Sequence, residues 1–238
     1  MLLDVVFVRH GLSCTNVLAK VPFGFGAHFL YPDPELTKQG ILISKSLSAT
    51  LVKNVYTIWG DEPFSVCASQ MIRAQQTAFY MIASSIGVPI NVLPHAAEKG
   101  ITRDNYALPQ AEQIHIMTDT DPAIVDLLLK GKDGRKTQGM FDKSDFKKFL
   151  AWAVDNPKYF SKGSDGVFRA VIFSHGRFLE GVFGLNFNMK NNEAIHAKID
   201  TDKQDSIGNR FEYWPVNKDF DLADCPNDCR FSYCNTTN

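Results

Sequence analysis

Two stretches of this chain end in a histidine followed by a glycine, and each follows an apolar run. Val5-Val6-Phe7-Val8 leads into Arg9-His10-Gly11, and Val167 to Phe173 leads into Ser174-His175-Gly176. An imidazole can act as nucleophile or proton carrier near neutral pH. A guanidinium offers a fork of donors matched to the oxygens of a tetrahedral anion. An Arg beside a His therefore suits a multiply charged oxyanion such as phosphate. A single histidine in such a place is most often structural, but two in matching positions point to a shared site. Arg73, Glu98 and Asn16 join them as candidates. Arg73 falls in the first turn of an expected helix, where a cation is electrostatically unfavourable. It is either a solvated surface residue or one that faces an anion. Asn16 either donates to that anion or caps a short helix. Glu98 is either a solvated loop carboxylate or a proton donor.

The elements that would carry these residues alternate strand and helix. Val5 to Val8 reads as a buried parallel strand, because it is continuously apolar and mostly β-branched. A polar turn at Ser13 to Asn16 and a Gly/Pro/aromatic loop to about Pro34 follow. Thr37 is an N-cap for a helix through about Val52, with Ile43, Leu47 and Leu51 at helical spacing. Phe64 to Ala68 is a second strand. Ser69 then caps a helix with Ala74, Ala78, Ile82 and Ile86 as its stripe, ended by Gly87 and Pro89. Pro89 to Leu93 is a third strand and leads into the loop that holds Glu98.

From Ile101 to Gly139 the pattern is irregular, with one short helix from Asp121-Pro122 to Leu129 ended by Gly131. His115 in this stretch has no evident partner. Ser144 to Val154 is an amphipathic helix with Phe146, Phe149, Leu150 and Ala153 inward. Val167 to Phe173 is the strongest strand, followed by a helix from Phe178 to about Phe183. Asn209 to Trp214 is a last strand. In an open α/β sheet ligands bind beyond the carboxyl ends of the strands, which is where His10 and His175 fall.

The bulk properties bound the partners. A chain of 238 residues with 45% hydrophobic residues can bury a sizeable core, and a net charge of −1 disfavours nucleic acid. No stretch is apolar for long enough to cross a bilayer, so no membrane partner is expected. Asp4 interrupts any leader, and with an odd number of cysteines this fits the cytoplasm. Cys225, Cys229 and Cys234 cluster in an acidic tail without a nearby histidine, so free thiols or one disulfide are favoured there over zinc. The sequon at Asn235 matters only for a secreted chain.

Taken in order, Arg9-His10-Gly11, Ser69 to Ala78 with Arg73, Glu98, and Ser174-His175-Gly176 resemble the histidine phosphatase superfamily. Its best-known members are the cofactor-dependent phosphoglycerate mutases. The resemblance spans most of Leu3 to Leu185. It implies a three-layer α/β/α sandwich with a mostly parallel central sheet, phosphoglycerate mutase-like, with a segment inserted over the site. One domain over 1–238 is expected, with the insertion at about 100–165 and a tail at about 217–238. The resemblance implies that His10 is the phosphorylated nucleophile. Arg9, Arg73 and His175 complete the phosphate pocket, with Asn16 and Gly176 beside them, and Glu98 is the acid. Phosphoryl transfer of this kind rests on positioning and charge, so neither metal nor cofactor is expected.

Mutases of the family follow the acid with a Tyr-Gly stretch and basic residues, whereas Lys99-Gly100-Ile101-Thr102-Arg103 stands here. Hydrolysis of a phosphorylated small molecule or phosphoprotein is favoured over the alternatives. Those are a mutase-type transferase and a low-activity module that binds protein partners.

Overall fold

A computed structural model describes residues 1–18, 26–98, 100, 102–136, 145–184 and 189–203, and the backbone of 212–214. The central sheet runs β3 (Ile90–Leu93), β2 (Ser65–Ser69), β5 (Phe168–Ser174), β1 (Leu2–Arg9), β6 (Ala194–Asp200), β7 (Glu212–Trp214), and β4 (Ser161–Lys162) pairs with β5. The pairs β3–β2, β2–β5 and β5–β1 are parallel. The outer strands β6 and β7, and β4, are antiparallel to their neighbours.

Side-chain alternation along the strands sorts residues into two cores. Val6, Val8, Val66, Ala68, Val171 and Phe173 point to one face. There they meet α3 (Lys38–Trp59), α4 (Ile72–Ala78), α6 (Gln110–Thr120) and α7 (Pro122–Lys130). Leu3, Val5, Phe7, Cys67, Ala170 and Ile172 point to the other, against α8 (Phe146–Asp155) and α9 (Gly176–Phe183). This is the expected three-layer α/β/α sandwich. The short helices α1 (Cys14–Leu18) and α2 (Ala27–Leu30) lie in the connection after β1. From α4 the chain continues through a π-helical turn, Phe79–Ala83, into α5 (Ser84–Ile86), and Gly87 ends the run at φ 67°.

Several sequence expectations need correction. The first strand extends from Leu2 through Arg9, so Asp4 lies buried within it, 2.5 Å from the Nε2 of His196. Burial alone would raise the Asp4 pKa, but the hydrogen bond and charge of His196 bring it below the usual value. Strand β6, which supplies that histidine, was not expected. Helix α3 runs to Trp59 rather than Val52, because Val55 and Trp59 continue its buried stripe until Gly60 caps it. Ser69 caps no helix, since α4 begins at Ile72 after Met71. The irregular stretch from Ile101 contains α6, whose two buried residues, Gln113 and Met117, give almost no apolar stripe to read.

Thr37 does cap α3, accepting from the Gly40 N–H at 2.8 Å, and α7 starts at Pro122 with Asp121 as its cap. The last strand is described over Glu212–Trp214. The tail from 217, with Cys225, Cys229 and Cys234, lies outside the described residues. No helix among the described residues is long and apolar enough to cross a membrane.

The start of α3 braces the segment just after His10. A Cβ on Gly40 would stand 2.2 Å from the Leu12 carbonyl oxygen, which also accepts from the Thr37 N–H at 3.0 Å. Gly40→Ala must therefore push α3 away from Leu12. It should lower the urea midpoint by an amount equivalent to about 1–3 kcal/mol; an unchanged midpoint would show that the contact is looser than described.

Candidate active site

Strand register brings the two His-Gly pairs together. Parallel pairing of β1 with β5 matches Arg9 to Ser174, so the next residue on each strand is a histidine. The His10 N–H donates to the Ser174 carbonyl at 2.9 Å, and the two imidazole centroids stand 4.9 Å apart. On the other side of β5, β2 ends at Ser69, whose Oγ is 2.6 Å from His175 Nε2. Ser69 is thus a partner of His175, not a helix cap. The Ser174 hydroxyl donates to the Ala96 carbonyl at 2.6 Å, which pins the loop carrying Glu98 to the same strand end. Glu98 accepts from the Arg177 N–H in the first turn of α9 at 3.0 Å. One carboxylate oxygen of Glu98 and one nitrogen from each of His10 and His175 all lie within 4.8 Å of one another.

Arg73 is buried, which excludes the solvated reading. Its Nε donates to His10 Nε2 at 3.3 Å and its Nη1 to the Asp104 carbonyl at 2.7 Å. Arg9 donates through Nη1 to the Met189 carbonyl, while its Nε is buried without a partner. Gly176 lets that guanidinium approach: a Cβ there would stand 3.3 Å from Arg9 Cζ and Nε. The Oδ1 of Asn16 accepts from the Ser13 N–H at 3.3 Å and hydroxyl at 2.9 Å, the capping role open to it from sequence.

No protein-family model and no curated protein matches this sequence. Among solved structures, the mycobacterial glucosyl-3-phosphoglycerate phosphatase in complex with VO3 is similar over 90% of this chain and 99% of its own, at 19% identity and TM-score 0.52. Its native form is similar over 92% and 100%, at 16% identity and TM-score 0.50. A protein described as mycobacterial hydrolase 1 is similar over 92% and 99%, at 18% identity and TM-score 0.50. The chain shares the fold of these three structures.

Within that fold the site's electrostatics follow from burial next to two cations. Desolvation, then Arg73 and Arg9, push the His10 pKa well below its usual value. Desolvation, Arg73, His10 and Arg9 do the same to His175. Both imidazoles are therefore neutral at pH 7. The His10 Nδ1 lies 2.7 Å from the Gly11 carbonyl. A carbonyl only accepts, so Nδ1 carries the proton and Nε2 keeps its lone pair. Burial also lowers the pKa of both guanidiniums, and Glu98 is the leading counter-charge to each.

Four contributors to the site were not read from sequence. Asp33, buried and with φ 44°, accepts from the Ile72 N–H at 2.8 Å, the Leu108 N–H at 3.0 Å and the Gln113 amide. Burial pushes its carboxyl up to about 6 against the pull of Arg73 and those donors. Asn191 donates to the carbonyls of His10 and Gly11, at 2.8 and 3.1 Å. His28 holds Asp104 through Nδ1 at 2.6 Å, and Asp104 in turn positions Arg73. His115 is exposed on α6. No local pattern marks Asp33 or Asn191, since their partners are distant in the chain.

Lowered histidine pKa values make the protein acid-sensitive. Unfolded histidine takes up its proton near pH 6.5, while folded His10 and His175 do so only at lower pH, so stability falls as pH drops below about 6.5. Asp33 acts oppositely between about 6 and the usual aspartate value of 3.8, where the folded carboxyl binds the proton more tightly. Urea midpoints should fall as pH drops below about 6.5 and go on falling, less steeply, below about 6, because two histidines outweigh one carboxyl. His10→Gln should reduce the first slope, and an unchanged slope would mean that His10 titrates normally.

Proposed function

We propose that the chain is a phosphomonoesterase that works through a phosphohistidine on His10. The observation that carries this reading is the meeting of His10, His175, Arg73 and Glu98 at one strand end, with the His10 Nε2 lone pair facing the Arg73 Nε–H at 3.3 Å. In the first step His10 Nε2 attacks phosphorus and the bond from phosphorus to the ester oxygen breaks. Glu98 gives its proton to the leaving oxygen. In the second step Glu98, now a carboxylate, takes a proton from water, whose oxygen attacks phosphorus. The N–P bond breaks, and phosphate and neutral His10 return.

Arg9, Arg73 and His175 hold the non-bridging oxygens and neutralise their charge, which is most of the catalysis such a transfer needs. The buried, unpartnered Nε of Arg9 is a donor suited to one of those oxygens. Ser69 Oγ is both donor and acceptor, so it can give its hydrogen to His175 Nε2 while Nδ1–H faces phosphate. Asn16 and Gly176 belong to the phosphate pocket in this reading, the glycine making room for Arg9. The substrate is a phosphorylated small molecule or phosphoprotein, and the site needs no cofactor to complete these steps.

The wild-type chain should hydrolyse p-nitrophenyl phosphate in the presence of EDTA, and acid quenching of a single turnover should trap acid-labile phosphate on the protein. His10→Ala should lose about 10^4-fold or more in kcat/KM and all of the trapped label. Glu98→Gln should lose about 10^2- to 10^4-fold in turnover of poor leaving groups and less with p-nitrophenolate, which needs little protonation. Retention of wild-type rate by His10→Ala would remove the nucleophile assignment. Absence of turnover on any phosphate ester would favour a binding module.

A further inference from the structure

Arg73 touches His10, and its direction is set from outside its own helix. Its Nε meets His10 Nε2 at 3.3 Å and its Nη1 donates to the Asp104 carbonyl at 2.7 Å. A guanidinium is planar, so these two contacts fix its plane. Its Nη2 makes no hydrogen bond among the described residues and is left for an anion. Asp104 belongs to a single 3-10 turn, Arg103–Asn105, between β3 and α6. Packing gives this turn little hold, since its buried residues, Asp104 and Asn105, are both polar. Thr102 Oγ1 donates to Asp104 Oδ1 at 2.6 Å and accepts from the Asn105 amide at 2.5 Å, so those bonds stay within the turn and its cap. His28 comes from outside. Its Nδ1 donates to Asp104 Oδ2 at 2.6 Å from α2, in the connection after β1. The same connection supplies Asp33, which accepts from the Ile72 N–H at 2.8 Å and the Leu108 N–H at 3.0 Å. One stretch of chain thus grips Arg73 twice: beside its backbone through Asp33, and at its head group through His28 and Asp104.

We propose that His28 is a positioning residue for anion binding, which aims the Arg73 guanidinium by holding Asp104. Its effect on turnover rests on the phosphatase reading; its effect on phosphate affinity does not. His28 acts only through Asp104 and Arg73 and exchanges no proton with the substrate. Without its Nδ1–H the turn loses its tie to α2, and the carbonyl that anchors Arg73 is free to shift. A positioning group misplaced by about 1 Å costs on the order of 10^2-fold in rate. The His28 side chain is 33% exposed, and a partly exposed ion pair contributes little to stability. A large loss of function against a small loss of stability is therefore the signature of the role.

The test separates the donor from the bulk of the ring in the full chain. His28→Phe keeps a ring without a donor, and His28→Asn keeps an N–H near the place of Nδ1 without the ring. Titration calorimetry with inorganic phosphate should show binding about tenfold weaker or more in His28→Phe, and recovered to within about threefold of wild type in His28→Asn. With p-nitrophenyl phosphate, kcat/KM should fall about 10- to 100-fold in His28→Phe. In an Arg73→Met background the same substitution should lower kcat/KM no further, because the group it acts through is gone. Wild-type phosphate affinity in His28→Phe overturns the proposal, as does an equal loss of kcat/KM with and without the Arg73 guanidinium. Equal losses in His28→Phe and His28→Asn would make the ring a packing group and overturn it as well. A wild-type chain that binds no phosphate overturns both this role and the phosphatase reading. A chain that hydrolyses no phosphate ester, yet loses phosphate affinity in His28→Phe and regains it in His28→Asn, supports the role and removes the phosphatase reading alone.

Discussion

In-register pairing of β1 with β5 is the constraint on which the site depends. Pairing runs from Leu3 opposite Phe168 to Arg9 opposite Ser174 without a bulge. Because side chains alternate with a period of two, a slip of one residue would exchange the two faces of the strand. Val6 and Val8 would then trade places with Val5 and Phe7, which occupy different cores. The two hydrophobic cores thus fix the register, and the register delivers His10 and His175 side by side. Parallel pairing of β5 with β2 then sets Ser69 beside His175, and the Ser174 hydroxyl fastens the Glu98 loop at Ala96.

Charge placement follows a second logic. Two guanidiniums are largely removed from water, and burial lowers the pKa of each. Their compensation is dispersed over the Glu98 carboxylate, Asp33, Asp104 and the carbonyls of Asp104 and Met189. None of these forms a bidentate pair with Arg73 among the described residues, so its field remains directed at the imidazoles. Burial first, and then that field, keeps both rings neutral. A phosphate dianion would offset the field, raising the proton affinity of His175 at the moment when a donor there becomes useful.

Local chemistry was legible and remote support was not. The apolar runs ending in His-Gly, the Thr37 cap and the Asp121-Pro122 start are all written in adjacent residues, and the fold bears them out. Strand β6 was missed although Ile195, Ala197 and Ile199 alternate inward, because its polar positions, His196 and Lys198, are explained only by their partner Asp4 on β1. Ser69 was read as a cap because a serine before a helix normally is one; its partner is a histidine over one hundred positions later in the chain. Asp33 sits in a Pro-Asp-Pro turn that reads as plain loop, and its three donors come from α4, Leu108 and α6.

Asp33 also explains how Arg73 can occupy the first turn of a helix. A cation there faces the positive end of the helix dipole, and nothing in α4 itself answers it: the first turn contains no acid. The answer comes from outside the helix, where Asp33 accepts the Ile72 N–H and lies within electrostatic reach of Arg73. The arrangement carries its own cost, since burial raises the Asp33 carboxyl to about 6 and its backbone stands in the left-handed region at φ 44°. A locally unfavourable arginine, a strained buried aspartate and two deprotonated histidines are each poor choices for stability alone. Together they make a pocket with donors and a neutral imidazole already in place, the condition the proposed reaction sets for binding and attacking a tetrahedral anion without further rearrangement.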